Sequence, residues 1–587
     1  MRKLLVQAAG AFGAVLLACC GLGCGMDGPE GESANDPPRP VRLILQITVD
    51  GLRADLLSRY GDRFGDGGFR ALMDRGTVYS NAHYQHANTE TIVGHATLAT
   101  GAFPSEHGMI GNVWFDREAG ELVYNIEDPK YPLLPTRSEA VKGAQVDPAQ
   151  RQARTEGRSP RALLASTFGD ELLVHTAGRA KVFSVSGKDR SAVAMAGHGG
   201  KAFWYSTDSG DFVSSRYYYD AYPDWVRSWN AERRADAHSG GSWELSRNPS
   251  TYLLGARDDR PYETDLKGYR RVFPHPFSEV GNPLFHTLLL VSPVGDTLTA
   301  QFAKALIVAE GLGQDAAPDY LSVSFSSVDA VNHFFGPSSL ENEEVVTRLD
   351  RTLADLLAFV DAHVGLDRTL IVLSADHGMP EMPEAMAEQG LQVGRLYPED
   401  IIQRANEAAQ RAFGVEGVSR FFFRPYLYLN DETIEEAGLL RGEVEKVVAE
   451  SLTGMEGVAI AVARSELPTL ADTPVVRRIR RNTHPSRSGD VYVVQEPYWF
   501  LYEKGPVAAM HGSPWRYDTA VPIVFVGSGI EPRTIHRLVH PADIAPTLSA
   551  FFGVKQPSSA EGMPLEEVLP DGSTARDDRE SGSGGGS

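Results

Sequence analysis

Three carboxylates and three imidazoles fall where apolar runs of this chain end. Ile44-Leu45-Gln46-Ile47-Thr48-Val49 stops at Asp50-Gly51, and the run ending Ser324-Phe325-Ser326-Ser327-Val328 leads to Asp329 and, four residues on, His333. A third run, Ile371-Val372-Leu373-Ser374-Ala375, ends at Asp376-His377-Gly378, and His511-Gly512-Ser513-Pro514 lies ahead of the run Val521 to Val526. Open α/β sheets bind ligands beyond the C-terminal ends of their strands. If a helix begins at Asp329, that residue and His333 share a face. Singly, a strand-end Asp is more often a helix cap and a lone His a hydrogen-bonded structural residue. Together they supply the hard and borderline donors that two Zn²⁺ or similar ions take. All three cysteines, Cys19, Cys20 and Cys24, lie in the first 24 residues, so any metal site in the remainder rests on His and carboxylates.

The elements that must position these groups alternate. Strand-type runs at 41–49, 181–185, 320–325, 369–373 and 521–526 suit strands of a parallel sheet buried on both faces. Helical periodicity at 162–177, 297–311, 341–363, 433–452 and 541–552 separates them, which predicts an α/β fold: an open, mostly parallel sheet flanked by helices. Residues 200–280, rich in Tyr, Trp, Arg and Gly with a hairpin signal at Asp208-Ser209-Gly210-Asp211, read as an inserted cap. Residues 378–500 read as a second insertion, whose aromatics from Phe421 to Tyr428 form its core. One folded domain is placed at 41–573.

At the N-terminus, Arg2-Lys3 and an apolar stretch to Ala18 form a secretory leader over residues 1–24. Leu16-Leu17-Ala18-Cys19 looks like a bacterial lipobox, so a lipid anchor at Cys19 and a periplasmic, membrane-anchored protein are expected. Residues 25–40 read as a flexible tether and 574–587 as a disordered tail ending in an appended Gly/Ser linker. With 56 Lys+Arg against 77 Asp+Glu, the net charge of −21 argues against a non-specific nucleic-acid binder.

Val49-Asp50-Gly51, the stretch from Thr91 to Gly101, His107-Gly108, Gly111-Asn112, Lys188-Asp189-Arg190, Asp329 to His333, Ala375 to Gly378 and His511 to Pro514 together resemble the alkaline phosphatase superfamily. In order and local sequence they are most similar to the PafA-type alkaline phosphatases, over residues 41–555. The resemblance implies a two-zinc phosphomonoesterase, EC 3.1.3.1-like, acting on small-molecule phosphate monoesters through a covalent phosphothreonine. It implies Thr91 as nucleophile beside Asp50, Asp376 and His377 at one Zn²⁺, and Asp329, His333 and His511 at the other. Asn112, Lys188 and Arg190 would hold the phosphoryl oxygens. The residues themselves agree, because a Thr hydroxyl needs its pKa lowered before it attacks. Thr91 also opens a helix over 92–100, whose N-terminus favours an anion. A plain N-cap at Thr91, and Thr89 as nucleophile, are the competing readings. Counting two Zn²⁺, three Asp, a Thr91 alkoxide, Lys188 and Arg190 leaves a charge of about +2, which suits a dianionic monoester. A nucleotide pyrophosphatase/phosphodiesterase of the same superfamily is the alternative, discriminated by Lys188 and Arg190. A surface protein that binds metal or phosphate without turnover is the other. His95, His107 and His198 are read as structural or as supporting the site residues from behind, and the protein as a monomer.

Overall fold

The computed structural model describes residues 40–136 and 147–570. The leader with Cys19, residues 25–39 of the tether and residues 571–587 lie outside them.

A nine-stranded sheet forms the body. Its strands in chain order are β1 (Leu43–Val49), β2 (Thr77–His83), β3 (Val182–Ser186), β4 (Lys201–Tyr205), β5 (Phe212–Val213), β6 (Asp319–Phe325), β7 (Thr369–Ser374), β8 (Ala520–Val526) and β9 (Arg533–Ile535). The spatial order is β9-β2-β8-β7-β1-β6-β3-β4-β5. The five strands from β7 to β4 are mutually parallel, with β1 central between β6 and β7.

Every residue of β1, β6 and β7 is buried. Their alternation explains why. Leu43, Leu45, Ile47 and Val49 of β1 join one core with Ile371 and Leu373 of β7, while Ile44, Leu370 and Val372 join another on the opposite face. A strand that packs helices on both sides needs apolar residues at both parities of its pleat. On the first face lie the helices Pro293–Glu310 and Leu340–His363, and on the second Phe168–His175 and Ile544–Phe552.

Three local expectations change. The 521–526 run is an antiparallel strand, since β8 pairs antiparallel with both β7 and β2; a fully buried strand reads the same in either direction. The inserted region begins later than residue 200, because β4 and the antiparallel β5 joined to it by the Asp208–Asp211 turn extend the main sheet. The 433–452 periodicity is two helices, Asp431–Glu436 and Arg441–Thr453, parted at Gly438 where φ is 65°, a left-handed conformation that suits glycine.

Within 378–500 a separate four-stranded antiparallel sheet runs in the order Ser419–Phe423, Tyr426–Leu429, Val491–Gln495, Val458–Ala463. One face packs the helices Pro398–Phe413 and Arg441–Thr453 through Leu427, Leu429, Val491 and Val493. Tyr426, Tyr428 and Tyr492 pack into a different core with Trp114 and Phe115. The second sheet is thereby seated against the segments that follow the Thr91 helix.

Candidate active site

β1, β6 and β7 lie side by side and end together, so the residues that follow them converge. Asp50 leaves β1; Asp329 lies in the helix Ser327–Phe335 that follows β6; Asp376 and His377 leave β7. Each is fully buried. The i, i+4 expectation holds: His333 Nε2 lies 3.3 Å from Asp329 Oδ2. His511 Nε2 approaches Asp329 Oδ1 at 3.6 Å, and His377 Nε2 approaches Asp50 Oδ1 at 3.3 Å and Asp376 Oδ2 at 3.4 Å. The His377 and His511 rings stack with centroids 3.5 Å apart.

Two clusters of ligand atoms result. Asp329, His333 and His511 form one, as the resemblance implies. The other brings together Asp50, His377 and Asp329, with Asp376 set further back. Asp329 thus offers an oxygen to both. Asp376 Oδ1 accepts the backbone N–H groups of Gly51, at 3.1 Å, and His377, at 3.0 Å, which leaves Oδ2 toward His377 Nε2.

Both clusters fit divalent cations. Every imidazole is fixed through Nδ1 to a backbone carbonyl: His333 to Ala509 at 2.9 Å, His377 to Gly378 at 2.8 Å and His511 to Thr89 at 2.8 Å. In the neutral ring Nδ1 must therefore carry the proton, and each Nε2 then presents a lone pair. Asp50 Oδ1, Asp329 Oδ1 and His377 Nε2 are buried without a hydrogen-bond partner. Buried polar atoms of this kind need a partner, and a cation supplies one.

The charges respond to one another. Burial alone would raise Asp329, but His333 and Lys188 outweigh it and hold the carboxyl well below its ordinary range. Burial and then the charge of Asp50 push Asp376 up. Burial opposes charging His377, yet Asp376 and Asp50 raise it to about 9. Lys188, expected on a phosphoryl oxygen, has its ammonium 2.7 Å from Asp50 Oδ2 and also on Asp329 Oδ2.

Thr91 is the first residue of the helix Thr91–Thr100 and has no side-chain capping role, since the capping position belongs to Glu90. Thr89 donates its hydroxyl to Ser513 O at 3.1 Å. Arg190 Nη2 lies 3.5 Å from Thr91 Oγ1. Asn112 Oδ1 accepts the Ile92 N–H at 3.2 Å, and the Gly94 N–H bonds Glu90 O at 3.0 Å. Two N–H groups of the first turn are thus already taken. A cavity of about 1080 Å³ opens beside these residues, lined by Asn112, Lys188, Arg190, Asp329, His333 and His511 among others.

Several residues escape sequence reading. Arg190 Nη1 is held by Asp147 at 2.7 Å and lies 3.4 Å from the Tyr124 hydroxyl. Asp189 is a buried hub that accepts from Tyr124 Oη (2.7 Å), Gln150 Nε2 (2.7 Å) and Arg158 Nε (2.8 Å). Asp147 and Tyr124 sit in segments without strong periodicity, and no local pattern ties them to Arg190. His95, by contrast, supports the site residues as expected: it bridges Thr91 O and Ser324 Oγ and lies 3.2 Å from Asp376 Oδ2. It braces the site from behind.

Residues 44–514 match the family model described as type I phosphodiesterase / nucleotide pyrophosphatase. A protein of Myroides odoratus named calcium-transporting ATPase is 32% identical over 91% of this chain and 96% of its own. Alkaline phosphatase PhoV of Synechococcus elongatus is also 32% identical, over 90% of this chain and 93% of its own. Alkaline phosphatase PafA of Elizabethkingia meningoseptica is 30% identical over 92% and 96%. The crystal structure of wild-type alkaline phosphatase PafA superposes with a TM-score of 0.82 at 29% identity, covering 91% of this chain and all of that one. Murine ectonucleotide pyrophosphatase/phosphodiesterase 5 shares the fold, with a TM-score of 0.50 at 12% identity over 87% of this chain and 95% of its own. The chain therefore belongs to the type I phosphodiesterase / nucleotide pyrophosphatase family, within the alkaline phosphatase superfamily, and is an enzyme of its PafA-like branch.

Proposed function

We propose that the protein is a two-zinc phosphomonoesterase that transfers the phosphoryl group to Thr91 and then to water, releasing inorganic phosphate. The observation that carries this reading is Arg190 beside the Thr91 hydroxyl, with Lys188 on the carboxylates of both ligand clusters. A diesterase gains less from two cations there, because its substrate has one nonbridging oxygen fewer and carries a single negative charge.

Asp50, His377 and Asp376 would hold one Zn²⁺, and Asp329, His333 and His511 the other, with Asp329 in reach of both. When bound, the ions lower the pKa of the attacking hydroxyl and neutralise charge on the leaving oxygen. The chain's own residues orient the reaction. The His95 ring and the Asn112–Ile92 bond fix the first turn of the helix, so Thr91 Oγ1 is held beside Arg190, which lines the cavity. With its Oδ1 engaged by Ile92, Asn112 keeps its two N–H donors for a phosphoryl oxygen. Arg190, oriented by Asp147 and Tyr124, reaches the same group, preorganised as electrostatic stabilisation requires. Asp147 also offsets the charge of Arg190, which lowers the site's net charge from about +2 to about +1. Net charge then discriminates less between esters than the geometry of Lys188 and Arg190.

The name of the Myroides relative fits this chemistry on its hydrolytic side, since a triphosphate's terminal phosphoryl group presents the same oxygens. No helix among the described residues is long and apolar enough to cross a membrane. On its leader sequence, we place the protein outside the cytoplasm, anchored at Cys19.

The covalent step is tested by acid quench during turnover of p-nitrophenyl phosphate, followed by peptide mapping. Phosphate on the peptide bearing Thr91, absent in Thr91→Ala, is the expected result. Phosphate on Thr89, or single-step inversion at a chiral phosphorus, would overturn it.

A further inference from the structure

One buried ion pair outside the ligand set touches three parts of the site at once. Arg424 stands at the tip of the hairpin joining Ser419–Phe423 to Tyr426–Leu429, so it comes from the second sheet. Its guanidinium donates to Glu90 Oε1 at 2.8 Å and, from the other nitrogen, to the backbone carbonyl of His511. The side chains of Arg424 and Glu90 are 1% and 2% exposed. Glu90 immediately precedes Thr91, and its second oxygen accepts the backbone N–H of Asn112 at 2.5 Å. The contact is close packed: Gly512 has φ of 113°, and a Cβ there would collide with the Arg424 guanidinium.

We infer that Glu90 and Arg424 form a positioning pair that sets Asn112 and His511 against Thr91, making the second sheet part of the catalytic scaffold. Each end of the pair reaches a different group. Through Glu90 it fixes the backbone on which the Asn112 amide is mounted. Through the His511 carbonyl it fixes an imidazole already tied by Nδ1 to Thr89 O, two residues before the nucleophile. A hydrophobic replacement could fill this space, but it could not hold two backbone segments at fixed spacing. The pair also neutralises Glu90, whose bare charge beside the cavity would repel an anionic substrate. Partners that orient ligands and donors in this way are worth about 10- to 100-fold in activity.

The inference rests on the phosphomonoesterase reading, so the wild-type enzyme is assayed alongside; a wild type that does not turn over p-nitrophenyl phosphate refutes that reading rather than the pair. Arg424→Met leaves Glu90 buried without its partner and is expected to be destabilised as well as slow. Arg424→Met/Glu90→Gln removes both charges and restores much of the stability, which thermal denaturation reads. A purely structural pair would regain activity with stability. A positioning pair leaves the double variant folded with kcat still down about 10- to 100-fold and KM changed less than threefold. Arg424→Lys, which keeps the charge but loses the fork, should recover stability more than kcat. In an Asn112→Ala background the kcat cost of the double variant should shrink, because part of its effect runs through Asn112. A stable double variant with wild-type kcat, or a cost unchanged without Asn112, would overturn the inference.

Discussion

At the scale of single residues, the site is a set of buried charges made tolerable by one another. Asp189 shows how strict that balance is. It accepts three side-chain hydrogen bonds, and Arg158 and Arg190 hold its carboxyl below the ordinary range against the effect of burial. Asp189→Asn leaves Arg158 buried without its counter-charge, so we expect a loss of about 3 kcal/mol in denaturant unfolding. Because the same hub orients the segment that carries Arg190, monoester kcat/KM should fall too. The three clustered carboxylates, Asp50, Asp329 and Asp376, were legible in the sequence because each follows a run that reads as a strand. Asp147, Tyr124, Glu90 and Arg424 were not, since their roles depend on contacts between segments far apart in the chain. Lys188 was legible by motif, yet its place between Asp50 and Asp329 was not, because spacing says nothing of which carboxylates surround an ammonium.

At the scale of elements, the Thr91 helix is pressed directly onto the loop after β7. A Cβ at Gly94 would lie 2.0 Å from the Asp376 carbonyl oxygen, so only glycine permits this approach. Gly94→Ala must push the helix away from Asp376 and His377. It should cost about 1–3 kcal/mol of stability and lower kcat/KM at least tenfold; a fully active, equally stable Gly94→Ala would show that the helix is free to shift. The helix Phe168–His175 makes a pH-dependent contribution instead. His198 lies 3.1 Å from Asp170, which raises His198 above its ordinary 6.5, while Asp170, despite burial, is held below 3.8. The histidine's share of stability is complete below 6.5 and is lost as pH rises through its raised value. The aspartate's share is present above 3.8 and is lost as pH falls through its lowered value. The melting-temperature gap between wild type and Asp170→Asn should therefore be widest between those limits and narrow at alkaline pH. Strand and helix alternation was readable from periodicity. The direction of β8 and the split at Gly438 were not, because a buried strand carries no sign of its direction and a lone glycine does not fix a break.

At the scale of the whole molecule, two sheets contribute to one site. The nine-stranded sheet delivers the carboxylates from the ends of β1, β6 and β7, and the second sheet supplies Arg424 to hold Glu90 and His511. Ligand clusters gathered from such distant segments couple metal binding to stability. Chelation should lower the melting temperature and added Zn²⁺ should restore it, each site contributing about 4 kcal/mol where free ion exceeds its dissociation constant a thousandfold. A melting temperature indifferent to chelator and zinc would separate the buried carboxylates from any metal role. The central claim, monoester hydrolysis selected by Lys188 and Arg190, is tested most directly by kcat/KM of the zinc-loaded enzyme on p-nitrophenyl phosphate and on its methyl diester, for wild type and Lys188→Ala/Arg190→Ala. The account predicts a strong monoester preference that collapses without the pair while diester hydrolysis changes little. A diester preference indifferent to both residues would contradict it.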